Sequence, residues 1–275
     1  MPRPERSFNT PALILKRRDF GEADRLLTVL TPNHGKLDVI AKGARKLTSR
    51  KMGHVELFTN ADMLIHTGRE LSVASQASMR DGFDGLREDL TRGALAAYCA
   101  ELTDRFLSGG DGHDRRAYSL LLETFRRLST EADVRLAVRY FELHLLDVAG
   151  FRPELAHCVI SGEAIQPQDQ HFSFTEGGVI APGYVPSSRA GIVALPMLTL
   201  KLMRFMQRSA YEQVVAASVP QAVVDDVERV LSGYIAFLLE RRPQSAEFVR
   251  RLRREDEKPV VSRASRPDDL PTATP

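Results

Sequence analysis

The strongest constraint on this chain is a change of hydrophobic period near Phe83. Upstream, short β-suited runs are separated by turn residues. "PALILKRRDF" and "DRLLTVLT" come first, and "PNHG" turns the chain into "KLDVIAKGA", where Leu37, Val39 and Ala41 alternate with Lys36, Asp38 and, imperfectly, Ile40. "HVELFTNADMLIHTG" places Val55, Leu57 and Thr59 in alternation, and "TGRE" leads into "LSVASQASM". Five short strands in the first 80 residues favour closure into a small barrel over an open sheet with exposed edges. Downstream, "FDGLREDLTRGALAAYCAELTDRFL" sets Leu86, Leu90, Ala94, Tyr98, Leu102 and Phe106 at four-residue steps, which predicts one amphipathic helix.

The helical period continues. "SGGDGHD" breaks it, "RRAYSLLLETFRRLS" restarts it, and "EADVRLAVRYFELHLLDVAG" carries Val134, Val138, Phe141, Leu145 and Val148 on one face with Gly150 as C-cap. A Gly/Pro-rich interlude from Phe151 predicts two short strands in loops. Helices resume in "PMLTLKLMRFMQRS" and "PQAVVDDVERVLSGYIAFLLERR". The tail from about Glu255 holds four prolines and few apolar residues and is expected to be disordered. The expected organisation is α+β: a barrel over residues 1–80, a helical domain over 81–254 with a β insertion at about 151–190, and a tail over 255–275.

Charge matters only once it is divided along the chain. The net +2 hides 14 Lys/Arg against 8 Asp/Glu in residues 1–80, and 9 against 13 in residues 81–149. A basic head of this kind attracts polyanions. Two cysteines, Cys99 and Cys158, are too few for a disulfide framework and fit a reducing cytosol. "MPRPERSFNTP" lacks the apolar segment of a signal peptide, and no run approaches the ~18 apolar residues that span a bilayer. No membrane association is expected.

The candidate binding site is the run "AKGARKLTSRK", where Lys42, Arg45, Lys46, Arg50 and Lys51 lie without a carboxylate among them. Gly43 and Ala44 let backbone approach a phosphate chain. Lys16, Arg17, Arg18 and Arg25 add cations on neighbouring strands, with no acidic partner evident nearby. "HGKL" lacks the leading glycine and trailing Ser/Thr of a nucleotide-binding loop. Residues 1–80 hold only Phe8, Phe20 and Phe58 as aromatics, so phosphate contacts outweigh base stacking as the expected source of affinity.

Other constellations are weaker. "LAHCVISGEAI" and "HFSFTEGGVIAPGY" have the outline of a zinc ribbon, but only Cys158 stands at a knuckle position. Ser161, Ala181 and Tyr184 occupy the other three, and His157 and His171 are irregular substitutes, so four-ligand zinc is not expected. Asp111, His113 and Asp114 lack calcium-loop spacing and read as a helix connection. Glu22 and Asp24 could serve a metal-dependent nuclease, yet no third ligand joins them.

"ALILKRRDFGEADRLLTVLTPNHGKLDVIAKGARK", "GHVELFT", "FELHLLDVAGFRPELAHCVISG" and "YIAFLLERRPQSAEFVRRL" together resemble the bacterial RecO family over about residues 8–254. The resemblance implies a five-stranded OB-fold barrel, then a helical domain with an often zinc-bearing ribbon, which here lacks three of four cysteines. It implies a cytoplasmic, non-enzymatic recombination mediator that joins the nucleoid during repair. Such a protein binds single- and double-stranded DNA, anneals complementary strands and works with RecR. It helps load RecA by contacting the acidic tail of the single-stranded-DNA-binding protein. DNA contact then falls to Lys16, Arg17, Arg25, Lys42, Arg45, Lys46, Arg50 and Lys51, and tail contact to helical cations such as Arg204 and Arg208. No cofactor is implied. The alternative is a protein-interaction hub in which DNA contact is secondary.

Overall fold

The computed structural model describes residues 7–46, 49, 51, 53–108 and 114–256. Five strands, β1 (Ser7–Phe20), β2 (Asp24–Thr31), β3 (Gly35–Ala41), β4 (Asn60–His66) and β5 (Ser72–Asp81), close into a barrel of order β1-β2-β3-β5-β4. Neighbours run antiparallel except β3 and β5, whose parallel pairing of Val39 with Ser72 and Ile40 with Val73 closes the ring. This is the OB-type topology.

The run "ALIL" in β1 has no polar alternation because both of its faces are covered. Ala12 and Ile14 point into the barrel with Leu27, Val29, Val39, Met63 and Ile65. Leu13 and Leu15 face outwards and join Leu30 in the helical core. A strand buried on both faces reads as a continuous apolar run. The barrel and helices therefore share a hydrophobic seam, and each leucine buried there contributes roughly 1.5–3 kcal/mol.

The alternation at Val55, Leu57 and Thr59 is not a strand. This segment is a turn, and β4 begins at Asn60. Phe58 takes a left-handed φ of 62°, and its N–H donates to the Ile14 carbonyl at 3.0 Å. The turn sends Val55 into the barrel core and Phe58 edge-on against Phe125 in the helical core.

The single helix expected from Leu86 to Phe106 is two: α1 (Gly85–Glu88) and α2 (Leu90–Phe106). Asp89 is extended and caps α2, its side chain accepting from the Arg92 N–H at 2.9 Å. Leu90 is consequently 65% exposed, while Ala94, Tyr98 and Leu102 stay buried. α3 (Asp114–Thr130) and α4 (Arg135–Val148) follow, and Gly150 takes the positive φ of 82° past the end of α4.

The interlude forms the two expected strands, β6 (Gln170–Ser173) and β7 (Gly178–Ile180), and a third beyond it, β8 (Ile192–Leu195), joins them in the order β7-β6-β8. β8 runs past the expected boundary at about 190. Helices α5 (Met197–Arg208), α6 (Tyr211–Ala216), α7 (Gln221–Leu238) and α8 (Gln244–Asp256) complete the fold. The Glu101 carboxylate on α2 accepts from the Gln244 and Ser245 N–H groups at 3.0 and 2.9 Å, which caps α8 and holds it against α2. Inside the helical core Arg139 pairs with Glu142 at 3.1 Å and with Glu228 at 3.6 Å. The rest of the expected tail, residues 257–275, lies outside the described residues.

Candidate nucleic-acid interface

The loop leaving β3 is shaped by three residues. Ala44 is fully buried and plugs the barrel core. Gly43 takes a φ of 66°, which a side chain would strain, and its N–H donates to Asp24 Oδ1 at 2.7 Å. The Arg45 N–H donates to the Ala23 carbonyl at 2.9 Å. With the backbone docked on the β1–β2 hairpin tip, Lys42, Arg45 and Lys46 project into solvent. "KGARK" is thus an anchor flanked by displayed cations. Arg45 is partly engaged, reaching Asp19 at 3.4 Å and the Gly21 carbonyl at 3.5 Å. Lys42 and Lys46 meet no carboxylate among the described residues.

The expectation that these strands lack acidic partners is corrected by the fold. Glu56, delivered by the Val55–Thr59 turn, pairs with both Arg17 and Arg25, the latter at 2.6 Å. Burial and the nearby Arg25 lower the Arg17 pKa. Asp104 on α2 receives Lys16 at 2.5 Å and Lys36 at 3.2 Å. Burial pushes the Asp104 carboxyl upwards, but the two lysines outweigh it and hold it below the ordinary value. Lys51 is half-buried with Nζ on the Ala74 carbonyl at 3.3 Å; burial lowers its pKa against the pull of Asp24. Arg50 lies outside the described residues.

Strand register adds cations absent from the expected set. Residues paired across an antiparallel ladder share a face. Lys16, Arg18 and Phe20 pair with Thr28, Leu26 and Asp24, and Thr28 and Leu30 pair with Asp38 and Lys36. Leu30 belongs to the helical core, so this is the outer face of the barrel. Arg18 is exposed there and meets no carboxylate among the described residues. Lys16, Arg18 and Lys36 line one wall of a cleft of about 960 Å³, and Arg105 and Arg241 line the other. The period-2 spacing of Lys16 and Arg18 carried that signal, whereas Lys36 becomes part of the patch only through pairing.

The remaining candidates are mostly engaged in structure. Asp24 holds Gly43, and Glu22 is exposed beside it. Asp114 packs against Gly35, where an added Cβ would come within 2.7 Å of its carboxylate; Asp111 and His113 lie outside the described residues. At the ribbon, Cys158 Sγ accepts from the Ala181 N–H at 3.4 Å, and Tyr184 Oη donates to Glu163 at 3.2 Å. Ser161 Oγ also lies 3.5 Å from that carboxylate. Burial raises the Cys158 pKa, but the Ala181 and Ser161 N–H donors outweigh it and leave the thiol below its ordinary value. One thiol and a set of internally bonded neighbours do not fit tetrahedral zinc. No group of three His, Cys, Asp or Glu is gathered for a metal among the described residues. Arg204 donates to the Leu155 carbonyl at 2.6 Å, while Arg208 is exposed. No helix among the described residues is long and apolar enough to cross a membrane.

A closed OB-type barrel with a cationic mouth, fused to a helical domain carrying a small ribbon, defines the class of protein. The family description "Recombination protein O N terminal" matches residues 6–83, and "Recombination protein O C terminal" matches residues 87–247. The DNA repair protein RecO of Roseiflexus sp. (strain RS-1) is 40% identical over 247 residues, covering 89% of this chain and 86% of that protein. Those of Desulforudis audaxviator and Desulforamulus reducens are 34% and 30% identical, covering 90% and 89% of this chain and 98% and 94% of theirs. The chain belongs to the RecO family.

Proposed function

We propose that the chain is a non-enzymatic recombination mediator that binds single- and double-stranded DNA through phosphate contacts and brings complementary strands together. The observation that supports this most directly is the pair Lys42 and Lys46, exposed and without an ion-pair partner among the described residues, on a loop pinned by Ala44. Displayed lysines neutralise phosphates without reading bases, which leaves base edges free to find a complement. Arg18 and Arg45 extend the patch, and phosphate contact by Arg50 is proposed from its place in the basic run alone. Lys16, Arg17, Arg25 and Lys51 support it from positions already engaged with the protein.

In this reading the protein acts in the cytoplasm, at the nucleoid during repair, with RecR as partner, and helps load RecA onto DNA coated with single-stranded-DNA-binding protein. The acidic tail of that coating protein docks on the helical domain. Leu198, Lys201, Phe205 and Arg208 recur at helical spacing on one exposed side of α5, so apolar and cationic contacts are offered together. Arg204 supports that helix from the opposite duty, bonding the ribbon backbone. The ribbon holds without zinc.

The test mixes complementary strands with the full chain and with its Lys42→Glu/Lys46→Glu variant over a salt series. Faster annealing by the wild type, lost in the variant, is the expected result. Equal annealing by both, at moderate salt, would instead favour a protein-interaction hub.

A further inference from the structure

Of the three aromatics in the barrel, two are occupied. Phe8 stacks on His34 with centroids 3.7 Å apart, and Phe58 packs against Phe125. Phe20 is different: it is 44% exposed at the end of β1. Its position is fixed from both sides. Arg45 reaches Asp19 before it and the Gly21 carbonyl after it, and Asp24 opposite it holds the Gly43 amide. The ring therefore stands on a braced hairpin tip against which the backbone of the loop carrying Lys42 and Lys46 docks.

Register places Phe20 on the outer face with Arg18 and Lys16. That face leads from the cleft lined by Lys16, Arg18 and Lys36 to the ring at the tip. We propose that this face is a single-strand subsite, in which the cations follow the phosphate chain and Phe20 stacks on an unpaired nucleobase. It rests on the DNA-binding reading above and deepens it. Stacking requires a base whose face is open, which a single strand offers along its length and a duplex offers only at its ends. The cationic loop serves both kinds of DNA alike, since it addresses phosphates. Phe20 supplies the preference between them.

The chain contains no tryptophan, so Phe20→Trp in the full-length protein gives a single indole reporter at the position in question. Titration with a thymidine homopolymer is expected to quench its emission saturably, while a closed-ended duplex hairpin leaves it unchanged. Phe20→Ala is expected to weaken single-strand binding roughly 5- to 150-fold, the range for one stacked base, and to leave duplex binding unchanged. Phe20→Tyr should retain the single-strand affinity. Absence of quenching, equal quenching by both DNAs, or an alanine variant that binds both DNAs as the wild type does overturns the proposal. Should Lys42→Glu/Lys46→Glu lose binding while Phe20→Ala keeps it, stacking alone fails. Should the wild type bind neither DNA, the DNA-binding reading fails first.

Discussion

The barrel carries two groups of cations that look equivalent along the chain and behave differently in space. In the loop after β3, Ala44 and Gly43 commit the backbone, and Lys42 and Lys46 are exposed with no carboxylate partner among the described residues. On β1 to β3, Lys16, Lys36, Arg17 and Arg25 are shared between two carboxylates, Asp104 and Glu56. The first group is available to a polyanion at once. The second must exchange an internal partner for a phosphate, which reduces the net gain. Local charge density therefore does not measure binding capacity; the pairing of each cation does.

The largest expected effect breaks the free group. Lys42→Glu/Lys46→Glu should lower DNA affinity on the order of 100-fold at low salt and make the salt slope shallower by about two, one for each phosphate no longer neutralised. Thermal unfolding should be unaffected, since neither side chain has an ion-pair or hydrogen-bond partner among the described residues. A drop in stability with unchanged affinity would reverse the assignment of the two groups.

Arg25→Ala tests the engaged group from the other direction. Its side chain is 16% exposed and its guanidinium meets Glu56 at 2.6 Å. Removing it leaves that carboxylate with Arg17 alone and should cost about 1–3 kcal/mol in denaturant unfolding. The salt slope of DNA binding should hardly move. A slope change as large as that of the lysine pair would show Arg25 to be a phosphate ligand.

The barrel was legible because period-2 alternation and turn residues mark strands wherever one face is wet. It failed at Val55–Thr59, where the same alternation occurs in a turn fixed by the left-handed Phe58. The helix period overran Asp89 because four-residue spacing continues through a cap that ends one helix and starts another. β8 escaped notice because "IVAL" is too short to show a period. The loop cations were readable as a cluster, but their freedom was not. Lys16 and Asp104 lie 88 residues apart, and Arg25 and Glu56 lie 31 apart, so only the closed fold brings them together. Charge composition recorded the patch and missed its neutralisation.

Asp104→Asn is a smaller and more discriminating change. It removes the charge that holds Lys16 and Lys36, and should tighten DNA binding a few-fold, with a salt slope steeper by about one or two. Stability should respond to pH as well. Because the folded-state pKa of Asp104 is depressed, its contribution is complete above the unfolded carboxylate value of about 3.9 and is lost as pH falls through the lower folded value. The variant should lose that portion of the acid dependence. An unchanged acid profile would mean that the two lysines do not stabilise the carboxylate in solution.

The smallest expected effect concerns the ribbon, which extends the comparison to polar groups that satisfy one another. Structural zinc supplies roughly 10–16 kcal/mol of binding free energy in a small domain, so its removal is never silent. Here Cys158 Sγ takes the Ala181 amide, and the Tyr184 hydroxyl meets the Glu163 carboxylate. Phe172 and Val179 are fully buried beneath them, and the Phe172 ring meets Tyr234 edge-on at 5.4 Å. If this apolar core does what a metal does elsewhere, a chelator should leave the melting temperature unchanged. Phe172→Ala, by contrast, should cost about 3–5 kcal/mol, the usual range for a buried phenylalanine. A melting temperature that falls with chelator and returns with zinc would put a metal ligand where the structure has an internal hydrogen bond.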